Sequence, residues 1–248
     1  MIIGTVPYMN CLPLTKHLKR NLVKLPPAQL AEAVLSGEVD LALLPTFSIL
    51  KHDLLMHPDA GIIGCDGAVK SVGFFVRPYI SDLSEIESIY LDQESQSSVF
   101  LAKVLLKKYY DVSLYDLEFF HHDNRDMADA QILIGDKALF HNNKRSFFLD
   151  LGQLWKDFTN TGIMFACWAS KKAIPAEVIA ELVEAKQLGL MNKESCIADV
   201  APDNQELVLD YLENNIIYEP NDAIKAGLKL FKEHLREYQY IEHGAKAA

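Results

Sequence analysis

The run Val39-Asp40-Leu41-Ala42-Leu43-Leu44, closed by Pro45, most restricts what this chain can become. An apolar stretch with a single acid at its start is the pattern of a strand covered on both faces, as in a parallel sheet sandwiched by helices. Ahead of it, Pro26-Pro27 open a helix with Leu30, Ala31, Val34 and Leu35 at helical spacing, and Gly37 ends it. Asp129-Ala130-Gln131-Ile132-Leu133-Ile134 repeats the plan, turning at Gly135-Asp136. Two α/β lobes built alike fit that echo.

The remaining pattern supplies their elements. Met1-Ile2-Ile3 is a strand that empties through the Gly- and Pro-containing turn Gly4 to Pro13 into a helix beginning near Leu12. Strands follow at Val23 to Leu25, Ile62-Ile63 and Ser71 to Val76, before a polar change at Arg77 to Leu83 that marks a crossing between lobes. Ile89 to Asp92 is the next strand, Gln93 to Ser97 a polar loop, and 98–110 a helix with Val99, Leu101, Ala102, Leu105 and Leu106 as its stripe. Tyr115 to Phe120 reads as a further strand. Ile163 to Ala169 is an apolar strand carrying the chain back, and three helical patterns from Pro175 onward complete the first lobe. The expected organisation is a discontinuous first lobe, 1–80 plus 168–248, and a second lobe, 81–167, with a ligand cleft between them.

Half of the 248 residues are hydrophobic, enough for one large or two ordinary cores. The net charge of −10 argues against nucleic acid or an anionic membrane as partner. It leaves an anionic small molecule open, because surface charges beyond about 8–10 Å are screened at physiological salt. Cys11, Cys65, Cys167 and Cys196 form no CxxC pair and read as reduced thiols, not as a zinc site. No leader pattern and no run of about 18 apolar residues is present, so the cytoplasm is the expected compartment.

Four stretches offer chemistry. Asn10, at the first turn, either caps a helix or faces the cleft. Ser95-Gln96-Ser97-Ser98 lies between strand and helix, where hydroxyls and N–H groups either cap or bind carboxylate and phosphate. Asp66-Gly67-Ala68-Val69-Lys70-Ser71 is either a generic turn or the source of a Ser71 hydroxyl. Gly135-Asp136 presents either a carboxylate to the cleft or a cap. His121-His122-Asp123 fits a solvated loop better than a metal site, since adjacent histidines on a strand point to opposite faces. No GxSxG, HExxH, P-loop or GxGxxG fingerprint occurs. The residues alone describe a two-lobed binder of a small anionic ligand.

A family resemblance goes further. Gly4-Thr-Val-Pro-Tyr8-Met-Asn10-Cys-Leu-Pro13-Leu, Gly37-Glu-Val-Asp40-Leu-Ala-Leu-Leu-Pro45, Gly67-Ala-Val-Lys-Ser71-Val, Ser95-Gln-Ser-Ser98-Val, Ile132-Leu-Ile-Gly135-Asp136-Lys-Ala-Leu139, Asp150-Leu-Gly152-Gln-Leu-Trp155 and Phe165-Ala-Cys-Trp168-Ala stand in order. Together they resemble the chorismate dehydratases of the futalosine route to menaquinone, with Asp210-Tyr-Leu212 and Gly227-Leu as weaker echoes. Ser97 stands where threonine is commoner, which keeps the hydroxyl, and Ile163-Met164 replaces a more usual Leu-Pro.

The resemblance implies a type 2 periplasmic-binding-protein-like fold that acts as an enzyme without a cofactor or metal. Its substrate would be chorismate, losing water to give 3-[(1-carboxyvinyl)oxy]benzoate. It implies that Asn10 and Ser71 hold the reactive conformer while the substrate's own enolpyruvyl carboxylate takes the proton. Ser97 and Ser98 would anchor a carboxylate, with Tyr8, Ser95, Gly135 and Asp136 completing the substrate site. Two other readings stay open: the 1,4-dihydroxy-6-naphthoate synthase of the same route, and a non-catalytic receptor for a small anion.

Overall fold

The computed structural model describes residues 1–91, 96–120, 127–141 and 147–245. Ser95, the His121-His122-Asp123 stretch and the last three residues lie outside them. The chain runs from β1 (Ile3–Thr5) through a 3₁₀ turn at Met9–Cys11 into α1 (Leu12–Thr15), then β2 (Leu22–Lys24) and α2 (Pro27–Ser36). Pro27 sits in the first turn of α2, where its missing N–H has no partner to lose, and Gly37 at φ 86° takes the left-handed cap. β3 (Leu41–Pro45), α3 (Thr46–Lys51), β4 (Leu55–Met56) and β5 (Ile62–Cys65) follow. Leu41, Leu43 and Leu44 are wholly buried. Each contributes roughly 1.5–3 kcal/mol by leaving water, so the acid-then-apolar pattern was a sound guide to this strand.

The second series comprises β6 (Val72–Val76), β7 (Ser88–Leu91), α4 (Gln96–Tyr109), β8 (Glu118–Phe120), β9 (Ala130–Ile134), α5 (Gly135–Leu139), β10 (Phe147–Asp150) and α6 (Leu151–Thr159). Asp150 caps α6, accepting the N–H groups of Gly152 and Gln153. The chain then returns by β11 (Ile163–Ser170) and ends in α7 (Ala176–Met191), α8 (Lys193–Cys196), α9 (Pro202–Asn214) and α10 (Asp222–Ala245).

Two sheets result. The first has the order β2-β1-β3-β11-β4, with β5 also paired to β11, and the second has the order β10-β6-β9-β7-β8. β1, β2 and β3 are mutually parallel, as are β7, β8 and β9. β11 runs antiparallel to β3, and β6 antiparallel to β9.

Three expectations need correction. β6 is hydrogen-bonded between β9 and β10, so the chain passes between sheets at 66–71, ahead of the expected change at 77–83. An apolar strand does not announce which sheet it joins. β11 pairs along its length with first-sheet strands, which moves 163–167 out of the second lobe. The last helix does not complete the first lobe alone. Phe231 of α10 lies 5.0 Å from Phe100 of α4, and its ring is 6.4 Å from Trp155 of α6. Helix α10 therefore packs against second-lobe helices as well as against β11.

Candidate functional site

The ends of β3 and β9 face each other across a cleft of about 530 Å³, counting its open mouth. Its walls are largely apolar, with Val6, Leu43, Ile63, Val72, Ile134 and Phe165 among them. The polar side chains are Tyr8 and Asn10 from the first turn and Ser97 and Ser98 from α4. No carboxylate, imidazole, amine or guanidinium is among the lining residues described. Phe165 sits where β11 slips register against β5 between Met164 and Ala166, a bulge that turns a side chain toward the site.

The first turn presents Asn10 through the 3₁₀ segment. No side-chain cap bond is made at either Tyr8 or Cys11, so Asn10 is not a helix cap. Its Oδ1 accepts the Cys11 thiol proton at 3.2 Å. Burial pushes the Cys11 thiol up to about 12, keeping it a neutral donor. Tyr8 lies against Gly135, which adopts φ 56°. A Cβ there would stand 2.8 Å from Tyr8 Cδ1, so glycine is required both for the turn and for the contact.

Ser97 and Ser98 fall inside the first turn of α4 and are almost wholly buried. The N–H of Phe47, in α3, donates to Ser97 Oγ at 3.0 Å, leaving the Ser97 proton to be given elsewhere. Asp136 neither lines the cleft nor caps α5. Its Oδ1 accepts the Met9 N–H at 2.9 Å, reaching from second lobe to first. Burial raises its pKa above the ordinary carboxylate value, partly offset by that N–H.

Ser71 is not among the cleft-lining residues; its neighbour Val72 is. It is 1% exposed and accepts the Tyr211 hydroxyl at 2.7 Å. Asp150 fixes the turn before it, accepting the N–H groups of Val69 at 3.0 Å and Lys70 at 2.6 Å. Lys70 there holds a left-handed φ of 59°. The structure thus brings Tyr8, Asn10, Ser97, Ser98 and Gly135 to one cleft, and sets Ser71 and Asp136 behind its walls. Tyr211, whose hydroxyl Ser71 accepts, stood out in the sequence only within the weaker echo Asp210-Tyr-Leu212.

Two α/β lobes joined by two crossings, with a small-molecule cleft between their strand ends, define a periplasmic-binding-protein-like protein. Solved structures agree. The chain matches protein AF1704 of Archaeoglobus fulgidus with a TM-score of 0.73 at 13% identity, covering 96% of this chain and 98% of that one. It matches the periplasmic aliphatic sulphonate binding protein SsuA of Escherichia coli with a TM-score of 0.65 at 16% identity, covering 97% and 92%. Residues 1–237 match the family described as menaquinone biosynthesis, and the chain belongs to that family. A curated relative, the chorismate dehydratase of Thermus thermophilus, is 28% identical over 94% of both chains. No helix among the described residues is long and apolar enough to cross a membrane.

Proposed function

We propose that this protein is a chorismate dehydratase, converting chorismate to 3-[(1-carboxyvinyl)oxy]benzoate and water in the futalosine route to menaquinone. The supporting observation is a cleft whose described lining offers amide, hydroxyl and phenol groups but no charged side chain. Such a wall orients a substrate; it does not supply a strong base. Chorismate brings its own. Its enolpyruvyl carboxylate takes the ring proton beside the enol-ether oxygen, the neighbouring carbon releases its hydroxyl as hydroxide, and proton and hydroxide leave as water. The ring becomes aromatic, which makes the step strongly downhill.

In this reading Asn10 orients the substrate with its amide N–H groups and the carbonyl lone pair that the Cys11 thiol leaves unused. The Ser97 and Ser98 hydroxyls, at the positive end of α4, hold a carboxylate. Tyr8 on Gly135 shapes the wall, and Ser71 and Asp136 support it from behind.

Incubation with chorismate tests this: the diene absorbance falls and a product lighter by one water accumulates. Chorismate bound but recovered unchanged makes the protein a receptor. Asn10→Ala lowers kcat by about 100-fold or more while the fold stays intact. Unchanged turnover in that variant removes Asn10 from the mechanism.

A further inference from the structure

Strand β11 meets β5 in two registers. Ile163 and Met164 pair with Cys65 and Gly64, whereas Ala166 and Cys167 pair with Ile63 and Ile62. Phe165 is the residue left over between them. Pairing with β3 begins only at Ala166, so among the described strands Phe165 has no partner on either flank. The consequence shows in the cleft. Phe165 and Ala166 both line it, although consecutive side chains of a regular strand point to opposite faces. A bulge lets a strand bring two neighbours to one cavity. Phe165 adds what the rest of the wall lacks. The other apolar residues of the described lining are aliphatic, Leu43, Ile63 and Ile134 among them. Tyr8 supplies the second aromatic ring, and that ring packs on Gly135. Phe165 is only 9% exposed and belongs to the main core, which holds it in place.

We propose that Phe165 is a specificity-determining residue, selecting acids whose six-membered ring is flat and unsaturated. Its part in the reaction rests on chorismate as the substrate. When the proton and hydroxide leave, two tetrahedral ring carbons become trigonal and the puckered ring flattens into a benzene. Aromatic rings attract each other beyond the area they bury, in offset-stacked or edge-to-face contact. A puckered ring makes that contact poorly. The contact therefore strengthens along the reaction, and an interaction stronger in the transition state than in the ground state raises kcat. An aliphatic side chain at this position fills space without that preference.

The test compares two small acids, both ionised at neutral pH, by calorimetry: benzoate and cyclohexanecarboxylate. Their carboxylates meet the same anchors, so the difference reports the ring. Cyclohexanecarboxylate is the more hydrophobic, and a wholly aliphatic wall favours it. Wild type is expected to reverse that order. In Phe165→Leu the ratio of benzoate to cyclohexanecarboxylate affinity falls about 3- to 10-fold. With chorismate, kcat falls by a similar factor and KM stays nearly unchanged, and Phe165→Tyr retains both properties. A role in packing alone weakens the two acids equally. If Phe165→Leu does not fold, Phe165→Met fills the same space with an adaptable apolar chain and carries the same expectation. Wild type that prefers cyclohexanecarboxylate overturns the inference without any variant, and so does an unchanged ratio in Phe165→Leu. Chorismate left unconverted while the ratio still shifts overturns the dehydratase reading and leaves the ring selection standing, because neither binding measurement needs turnover.

Discussion

The ends of β3 and β9 occupy equivalent places in their lobes, yet they bind across the cleft with different chemistry. After β3, the Phe47 N–H gives a hydrogen bond to a neutral hydroxyl, Ser97 Oγ of the other lobe. After β9, the Asp136 carboxylate takes one from Met9, in the turn after β1. Both bonds span the lobes and both involve one backbone N–H. The hydroxyl costs little to bury, whereas the carboxylate is desolvated and has no cationic partner among its described contacts. Equal topology therefore gives one clasp that is indifferent to pH and one that responds to it. Beside the first clasp the Phe47 ring lies 5.4 Å from that of Phe100, and beside the second the Tyr8 ring packs directly on Gly135.

That steric contact carries the largest expected effect. Gly135→Ala puts a Cβ 2.8 Å from the Tyr8 ring and forces an L residue to φ 56°. The backbone term costs roughly 1–2 kcal/mol. The overlap lies between lobes and is relieved by parting them, so it falls on activity more than on stability. We expect turnover to drop by about 100-fold, a modest loss in urea-unfolding free energy, and a larger radius in solution scattering. Wild-type turnover in Gly135→Ala would show that the Tyr8 contact is incidental to closure.

The carboxylate clasp comes next. A carboxyl whose pKa is raised in the folded chain stabilises it below the unfolded value, here near 3.8, and that contribution is lost as pH rises through the raised value. Asp150 acts with the same sign, since burial outweighs the four N–H groups it accepts. The comparison must therefore be between Asp136→Asn and wild type. Asparagine keeps an acceptor for Met9 without the charge. Unfolding free energies taken from pH 3.8 upward should fall less steeply in the variant, leaving it the more stable protein near neutrality. Parallel curves would place Asp136 outside the pH response.

How much of this was legible differs by element. β3 and β9 were, because burial on both faces writes an uninterrupted apolar run, and α2 was, because Pro27 and Gly37 mark its ends. α5 was not: five residues are too few to show a helical period. α6 had a usable signal that was read only as part of a family motif. Asp150 followed three residues later by Gln153 is a helix-start pattern, and Asp150 does accept the Gly152 and Gln153 N–H groups. The sheet joined by β6 was hidden, because strand pairing is set by partners distant in sequence. Asn10, Ser97 and Ser98 stood out as polar residues at strand-to-helix turns. Tyr211 did not, since a tyrosine in an apolar stripe is silent about what its hydroxyl meets 140 residues away.

The hydroxyl clasp should give the smallest effect, and it separates two roles of one atom. Ser97 Oγ accepts from Phe47, and in the proposed reaction its proton goes to a substrate carboxylate. Ser97→Ala removes both. Losing the Phe47 bond alone is worth about 1 kcal/mol, which corresponds to roughly fivefold in an equilibrium constant. A KM rise near that size with kcat retained fits a clasp that favours the closed form. A much larger rise adds a direct bond to the substrate, because a charged acceptor makes hydrogen bonds worth about 1.5–3 kcal/mol. Ser97→Thr restores the oxygen at the cost of a methyl group in a buried position, and is expected to recover most of the lost affinity. If threonine behaves like alanine, the oxygen is not what matters at this position, and the two strand ends differ less in function than in geometry.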